Sequence, residues 1–142
     1  SRGLGDVYKR QLTIPSTASR TIGVGAYDAL TFSYSDFSGR GQRGAGRLSK
    51  PDIVAPGVNV TAPTTSGTYA SFSGTSFATP FVTGGAALMM EWGIIKENDP
   101  YLYGEKVKAY MQRGARPLPG FTEYPNPQVG YGALCVRDSI PI

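Results

Sequence analysis

The 142-residue chain contains no histidine, so it has no imidazole of its own to act as a general base. A single cysteine, Cys135, excludes an internal disulfide and any multi-cysteine metal site. It lies in the apolar run 133–136 and reads as a buried small hydrophobe, with a reactive thiol as the lesser alternative. No stretch approaches the ~20 apolar residues of a membrane span. The best candidate, 77–95, is broken by Pro80, Gly84, Gly85 and Glu91. The net charge of +4 comes without a dense basic block. Arg40, Arg43 and Arg47 are spread through a glycine-rich turn at 38–49, which reads as a solvated loop, so no nucleic-acid partner is expected. That turn also lacks the strand–loop–helix setting and the lysine of a phosphate-cradling loop. No acidic calcium loop is visible, and no cofactor is expected. Residues 1–11 do not read as a secretory signal, and the sequence shows no internal repeat.

What is present is enough for one domain with a core. The chain is 40% hydrophobic and 17% charged, ordinary for a globular protein, so its 19 glycines and 11 prolines imply tight turns rather than disorder. Residues 1–11 are polar, basic and without period, and read as a frayed terminus or a foreign junction. Residues 12–142 have a different character. The segment 22–26 reads as a buried strand, 31–37 alternates apolar and polar, and 53–55, 58–60 and 68–72 read as short strands separated by turns. The strongest expectation is a helix over 76–94. Phe77, Phe81, Val82, Ala86, Leu88, Met89 and Met90 leave it almost no polar face, so it should be buried on all sides. Pro80 is tolerated there if it falls in the first turn. Gly84, Gly85 and Ala87 should let neighbouring backbones approach, and Gly93 reads as the helix end. A second helix is expected over 103–113, with Val107, Tyr110 and Met111 facing the core, Glu105, Lys106 and Lys108 facing solvent, and Gly114 closing it. A short helix over 133–139 completes the list. Alternating strands and helices indicate an α/β layer architecture.

The chemistry-bearing segment is Ser73-Gly74-Thr75-Ser76-Phe77-Ala78-Thr79-Pro80. It places a serine hydroxyl at the start of the long helix, behind a small Gly74-Thr75 approach. Free N–H groups and the positive end of the helix dipole would lie beside it, ready to stabilise an oxyanion. Serine is also a common helix cap, which is the plain structural alternative. A serine hydroxyl is a weak nucleophile until a base takes its proton, and the chain has no histidine to do so.

At these residues the chain resembles the subtilisin-like serine proteases, the subtilases. Gly74-Thr75-Ser76-Phe77-Ala78-Thr79-Pro80 matches their Gly-Thr-Ser-x-Ala-x-Pro signature, and Lys50-Pro51-Asp52-Ile53-Val54-Ala55-Pro56-Gly57 is similar to their Lys-Pro-Asp-Ile-x-Ala-Pro-Gly segment. Phe37-Ser38-Gly39-Arg40-Gly41, Ile14 to Ala18 with Ile22 to Ala26, and Val129 to Ala133 extend the similarity over residues 12–140. Within the family the chain is most similar to clostridial subtilases, including the group tied to spore germination. The resemblance implies a three-layer α/β sandwich with a mostly parallel sheet, of which this chain would be the C-terminal half. It implies Ser76 as nucleophile with its backbone N–H in the oxyanion hole, supported by Gly74, Thr75, Ala78 and Pro80, and a structural role for Asp52. The family's catalytic Asp and His and its oxyanion Asn have no counterpart here, so they would be supplied by the missing N-terminal half of the domain. Calcium is common in the family, but no site for it is identifiable in these residues. The implied function is peptide-bond hydrolysis on a protein or peptide substrate, in an extracellular or spore- or cell-envelope setting, with the chain alone inactive. The alternative is a non-catalytic subtilase-like pseudoprotease that binds a partner or signals.

Overall fold

A computed structural model describes residue 12, residues 18–41 and residues 50–141. The amino-terminal segment 1–11, the family-like run at 14–17 and most of the arginine-rich turn lie outside the described residues. Among the described residues five short strands precede the helices: β1 (Val24–Asp28), β2 (Ser33–Tyr34), β3 (Ile53–Pro56), β4 (Val60–Pro63) and β5 (Tyr69–Phe72). The helices are α1 (Thr75–Met90), which runs on into a π-helical turn at Glu91–Ile95, then α2 (Glu105–Arg113) and α3 (Val136–Ser139). The α/β class expected from the sequence is what forms.

The central sheet has the order β2-β1-β3. β1 and β3 are parallel, with Val24 opposite Ile53 and Tyr27 opposite Pro56, and β2 is antiparallel to β1. The free edge of β3 is covered by the chain at 132–134: Val54 N–H donates to the Gly132 carbonyl at 3.0 Å and Leu134 N–H to the Val54 carbonyl at 2.8 Å. With neighbours on both edges β3 is buried, and Ile53-Val54-Ala55 is accordingly an unbroken apolar run. β4 and β5 form a separate antiparallel hairpin, with Val60 opposite Phe72. The main core lies between the sheet and the helices and contains Ala26, Ile53, Ala55, Ala78, Val82, Met89, Leu102, Val107 and Met111. A second cluster, Tyr27, Val54, Leu118, Val129 and Ala133, fills the opposite face of the sheet.

Several expectations need correction. β1 begins two residues later than the apolar run suggested. Only Ser33–Tyr34 of the 31–37 alternation is strand, because Phe32 sits at φ 55° and interrupts the extended chain. β4 extends to Pro63, into what read as loop. α1 is not buried on all sides: it buries the single strip Ala78, Val82, Gly85 and Met89, while Phe81, Gly84, Ala87, Leu88 and Met90 are exposed. Gly85 does serve close packing, since a Cβ there would meet Val136 Cγ2 at 2.9 Å, whereas Gly84 has nothing within 4 Å. Gly93 does not end the helix. It lies inside the π turn, where a Cβ would meet the Asp99 carbonyl oxygen and Leu102 Cβ, each at 2.8 Å. Gly114 does close α2, but at an ordinary φ of −87°, and what it avoids is contact with the backbone at Asp138 and Ser139. α2 starts at Glu105 and α3 at Val136, later than expected, and Cys135 is half-buried just before α3.

Lys108 is the largest departure. It was expected to face solvent and is instead 9% exposed. Its ammonium lies 2.9 Å from Asp52 Oδ1 and donates to the Ser19 and Thr21 carbonyls. Lys50 pairs with Asp52 Oδ2 at 2.5 Å and donates to the Thr21 carbonyl, while Gln112 Nε2 and Gly23 N–H complete the shell of the same carboxylate. Asp52 therefore joins the entry to β1, the start of β3 and α2 through one buried anion with two cations. Burial pulls the Lys50 ammonium below the ordinary lysine range, partly opposed by its bond to Asp52.

Candidate active site

β5 and α1 are joined by only Ser73 and Gly74, and that turn places Ser76. Gly74 adopts φ 157° and ψ 159°, a region essentially reserved for glycine, and so redirects the chain from strand to helix in one step. Thr75 and Ser76 are the first two residues of α1. The Gly74 carbonyl accepts from Phe77 N–H at 3.1 Å and from Ala78 N–H at 3.3 Å, which closes the first turn. The N–H groups of Thr75 and Ser76 take no acceptor among the described residues, as expected for the first amides of a helix. They present two uncommitted donors at its positive end.

The plain alternative, a serine cap, does not hold. Gly74 occupies the cap position, no side chain caps the helix, and Ser76 is already inside it. The Ser76 side chain is exposed and its hydroxyl makes no hydrogen bond among the described residues. Thr79, by contrast, bonds back to the Thr75 carbonyl at 2.9 Å. Ala78 is fully buried against the sheet, so the turn has a fixed floor. The Phe77 ring stacks on Phe72, with centroids 5.0 Å apart and planes inclined by 7°, tying the helix start to the strand before it. Pro80 lies in the second turn rather than the first and has no N–H to give the Ser76 carbonyl.

The turn after β3 lies beneath this one. Gly74 N–H donates to the Gly57 carbonyl at 2.8 Å, and Asn59 N–H donates to Ser73 Oγ at 2.9 Å. The sequence marks Pro56-Gly57 as a turn within the family-like segment and places Asn59 in a strand over 58–60; instead Asn59 lies before β4, in the turn, at φ 51°. The role of Ser73 and Asn59 comes from a contact between two segments 14 residues apart, which no local pattern displays. Asp52 sits at the other end of β3, and its carboxylate is fully engaged in the lysine cluster. Among the described residues no group of three or more His, Cys, Asp or Glu side chains is placed to hold a metal ion.

The model of the subtilase family matches residues 3–132. The chain belongs to the subtilase family. Among relatives of this subtilase, Subtilisin BL of Lederbergia lenta is 36% identical over 107 residues, covering 75% of this chain and 35% of the relative. Serine protease AprX of Bacillus subtilis is 32% identical over 147 residues, covering 89% of this chain and 31% of the relative. Among solved structures, the CspB protease of Clostridium perfringens superposes with a TM-score of 0.87 at 45% identity, covering 91% of this chain and 27% of that one. The prenylagaramide maturation protease PagA gives 0.73 at 32% identity, covering 91% and 44%. The resemblance to clostridial subtilases is thus matched by a solved clostridial structure. The chain spans about a third or less of the length of these subtilisins and of CspB.

Proposed function

We propose that Ser76 is the nucleophile of a serine endopeptidase whose remaining catalytic groups are supplied from outside these 142 residues. The observation that carries this reading is the state of Ser76 itself: an exposed, unbonded hydroxyl whose own N–H is uncommitted at the positive end of α1. In the reaction Ser76 Oγ attacks a peptide carbonyl carbon while its proton passes to a base. The carbonyl oxygen becomes an oxyanion facing the Ser76 N–H. The C–N bond then breaks, the amine leaves with that proton, and water hydrolyses the resulting acyl-enzyme. The base cannot be a histidine of this chain, because there is none. The substrate is a protein or peptide, and the rest of a subtilase domain would cover the exposed side of α1.

Ser76→Ala in the complete protein tests the reading. Hydrolysis should fall by on the order of 10⁶-fold, the magnitude known for loss of the nucleophile in subtilisin. The melting temperature should hardly move, since the hydroxyl bonds to nothing. The competing reading is a pseudoprotease acting as a binding module. No hydrolysis by either protein would select it, and equal hydrolysis by both would overturn Ser76 as the nucleophile.

A further inference from the structure

We propose that the turn formed by Gly57, Val58 and Asn59 is a clamp that sets the position of Ser76, with Gly57 as its positioning residue; this rests on the nucleophile reading above. The clamp grips the strand-to-helix turn at consecutive residues. The Gly57 carbonyl takes the Gly74 N–H at 2.8 Å, and Asn59 N–H donates to Ser73 Oγ at 2.9 Å. The clamp is itself anchored to the sheet, because Gly57 N–H donates to the Tyr27 carbonyl at 3.1 Å at the end of β1. Asn59 holds φ 51°, so the turn keeps an uncommon backbone conformation while it makes these contacts. Ser76 lies two residues beyond the grip, with no side-chain bond of its own to hold it. Its place is set through the backbone.

Gly57 is where packing and positioning meet. A Cβ there would meet Ala26 Cβ at 2.6 Å, the Gly74 carbonyl oxygen at 2.9 Å and Ala78 Cβ at 3.3 Å. The Ala26 contact belongs to sheet packing. The Gly74 contact does not, because that oxygen receives both N–H bonds that close the first turn of α1. Any side chain at 57 presses on the atom that fixes the direction of the Ser76 N–H and hydroxyl. The two effects are separable: Ala26→Gly removes the packing clash and leaves the pressure on Gly74. Ser73→Ala loosens the other grip without crowding anything, and water can take over the exposed Asn59 N–H.

The test uses the complete protein and a fluorophosphonate, which phosphonylates an activated serine (Oγ–P forms, P–F breaks and fluoride leaves) and whose binding (KI) and bond-forming (kinact) constants are measured separately. Four proteins are compared: wild type, Ser76→Ala, Gly57→Ala/Ala26→Gly and Ser73→Ala, each with its melting temperature and circular dichroism. Ser76→Ala should be silent; labelling of it at the wild-type rate would overturn the nucleophile reading and the clamp with it. With Ser76→Ala silent, the double variant should fold and lose about 10²-fold in kinact with KI nearly unchanged, the cost of a misplacement near 1 Å at a reacting group. Ser73→Ala should keep its melting temperature and lose kinact severalfold. A folded double variant with wild-type kinact, or one in which only KI moves, would overturn the clamp and leave the nucleophile reading standing. If the double variant does not fold, Ser73→Ala decides, and wild-type kinact there would overturn the clamp.

Discussion

At the scale of single residues, Asp52 is the position on which most depends. Its carboxylate is 2% exposed and receives two ammonium groups, a side-chain amide and a backbone N–H. Replacing it by alanine strands two buried cations. The expected cost is about 3–5 kcal/mol, the range for breaking a buried pair from one side, read from denaturant unfolding. Lys50 adds a pH dependence whose sign follows from proton counts. Because burial depresses its pKa in the folded chain, the unfolded chain binds the extra proton between that depressed value and the ordinary 10.5. Stability contributed by this group therefore rises as pH climbs through that window. Against Lys50→Met, the wild type should gain relative stability over the same interval; a flat difference between the two melting curves would contradict the assignment. The family-like Lys-Pro-Asp segment marked Asp52 as structural, but its partners were hidden. Lys108 and Gln112 lie 56 and 60 residues away on a helix whose charged positions look solvent-facing in sequence, and only tertiary packing turns one of them inward.

At the scale of elements, α1 shows what periodicity tells and where it stops. Its existence and its start were legible from Gly74 through Met90, since the apolar run is long and the glycine turn is sharp. Its surroundings were not. A helix apolar on every face predicts neighbours on every face, yet only the strip Ala78, Val82, Gly85 and Met89 is covered. Two glycines on either side of that division should respond in opposite ways. Gly93→Ala drives a methyl into the Asp99 carbonyl and Leu102 and should cost roughly 1–3 kcal/mol. Gly84→Ala meets nothing and replaces the poorest ordinary helix former with the best, so in this chain it should stabilise by up to about 1 kcal/mol. Thermal melts of the two variants check both. If the same Gly84→Ala change destabilises the complete protein, a partner backbone is packed on that side. The strands were harder to bound than the helices, because runs of two to five residues carry little pattern and Phe32, an aromatic at positive φ, breaks one of them without warning.

At the scale of the whole molecule, the described residues expose Phe81, Leu88 and Ile95 along one side of α1 and its extension, and Tyr101 and Tyr103 in the loop that follows. Apolar surface of this kind favours association. The isolated chain should bind a hydrophobic dye and self-associate, and it should hydrolyse no peptide; a monodisperse, dye-silent chain with a sharp transition would contradict the first expectation. The family and the serine signature were readable because seven consecutive residues carry them, whereas the Asp52 cluster and the clamp join segments far apart in sequence. That separation has a kinetic consequence. The ammonium of Lys108 reaches back 87 and 89 residues to the Thr21 and Ser19 carbonyls. Closing a contact of such span costs loop-closure entropy. We expect the Lys108 arm of the cluster to fasten after the folding transition state. Lys108→Met should leave the refolding rate almost unchanged and accelerate unfolding, so that this lysine governs how long the folded chain lasts rather than how quickly it is reached.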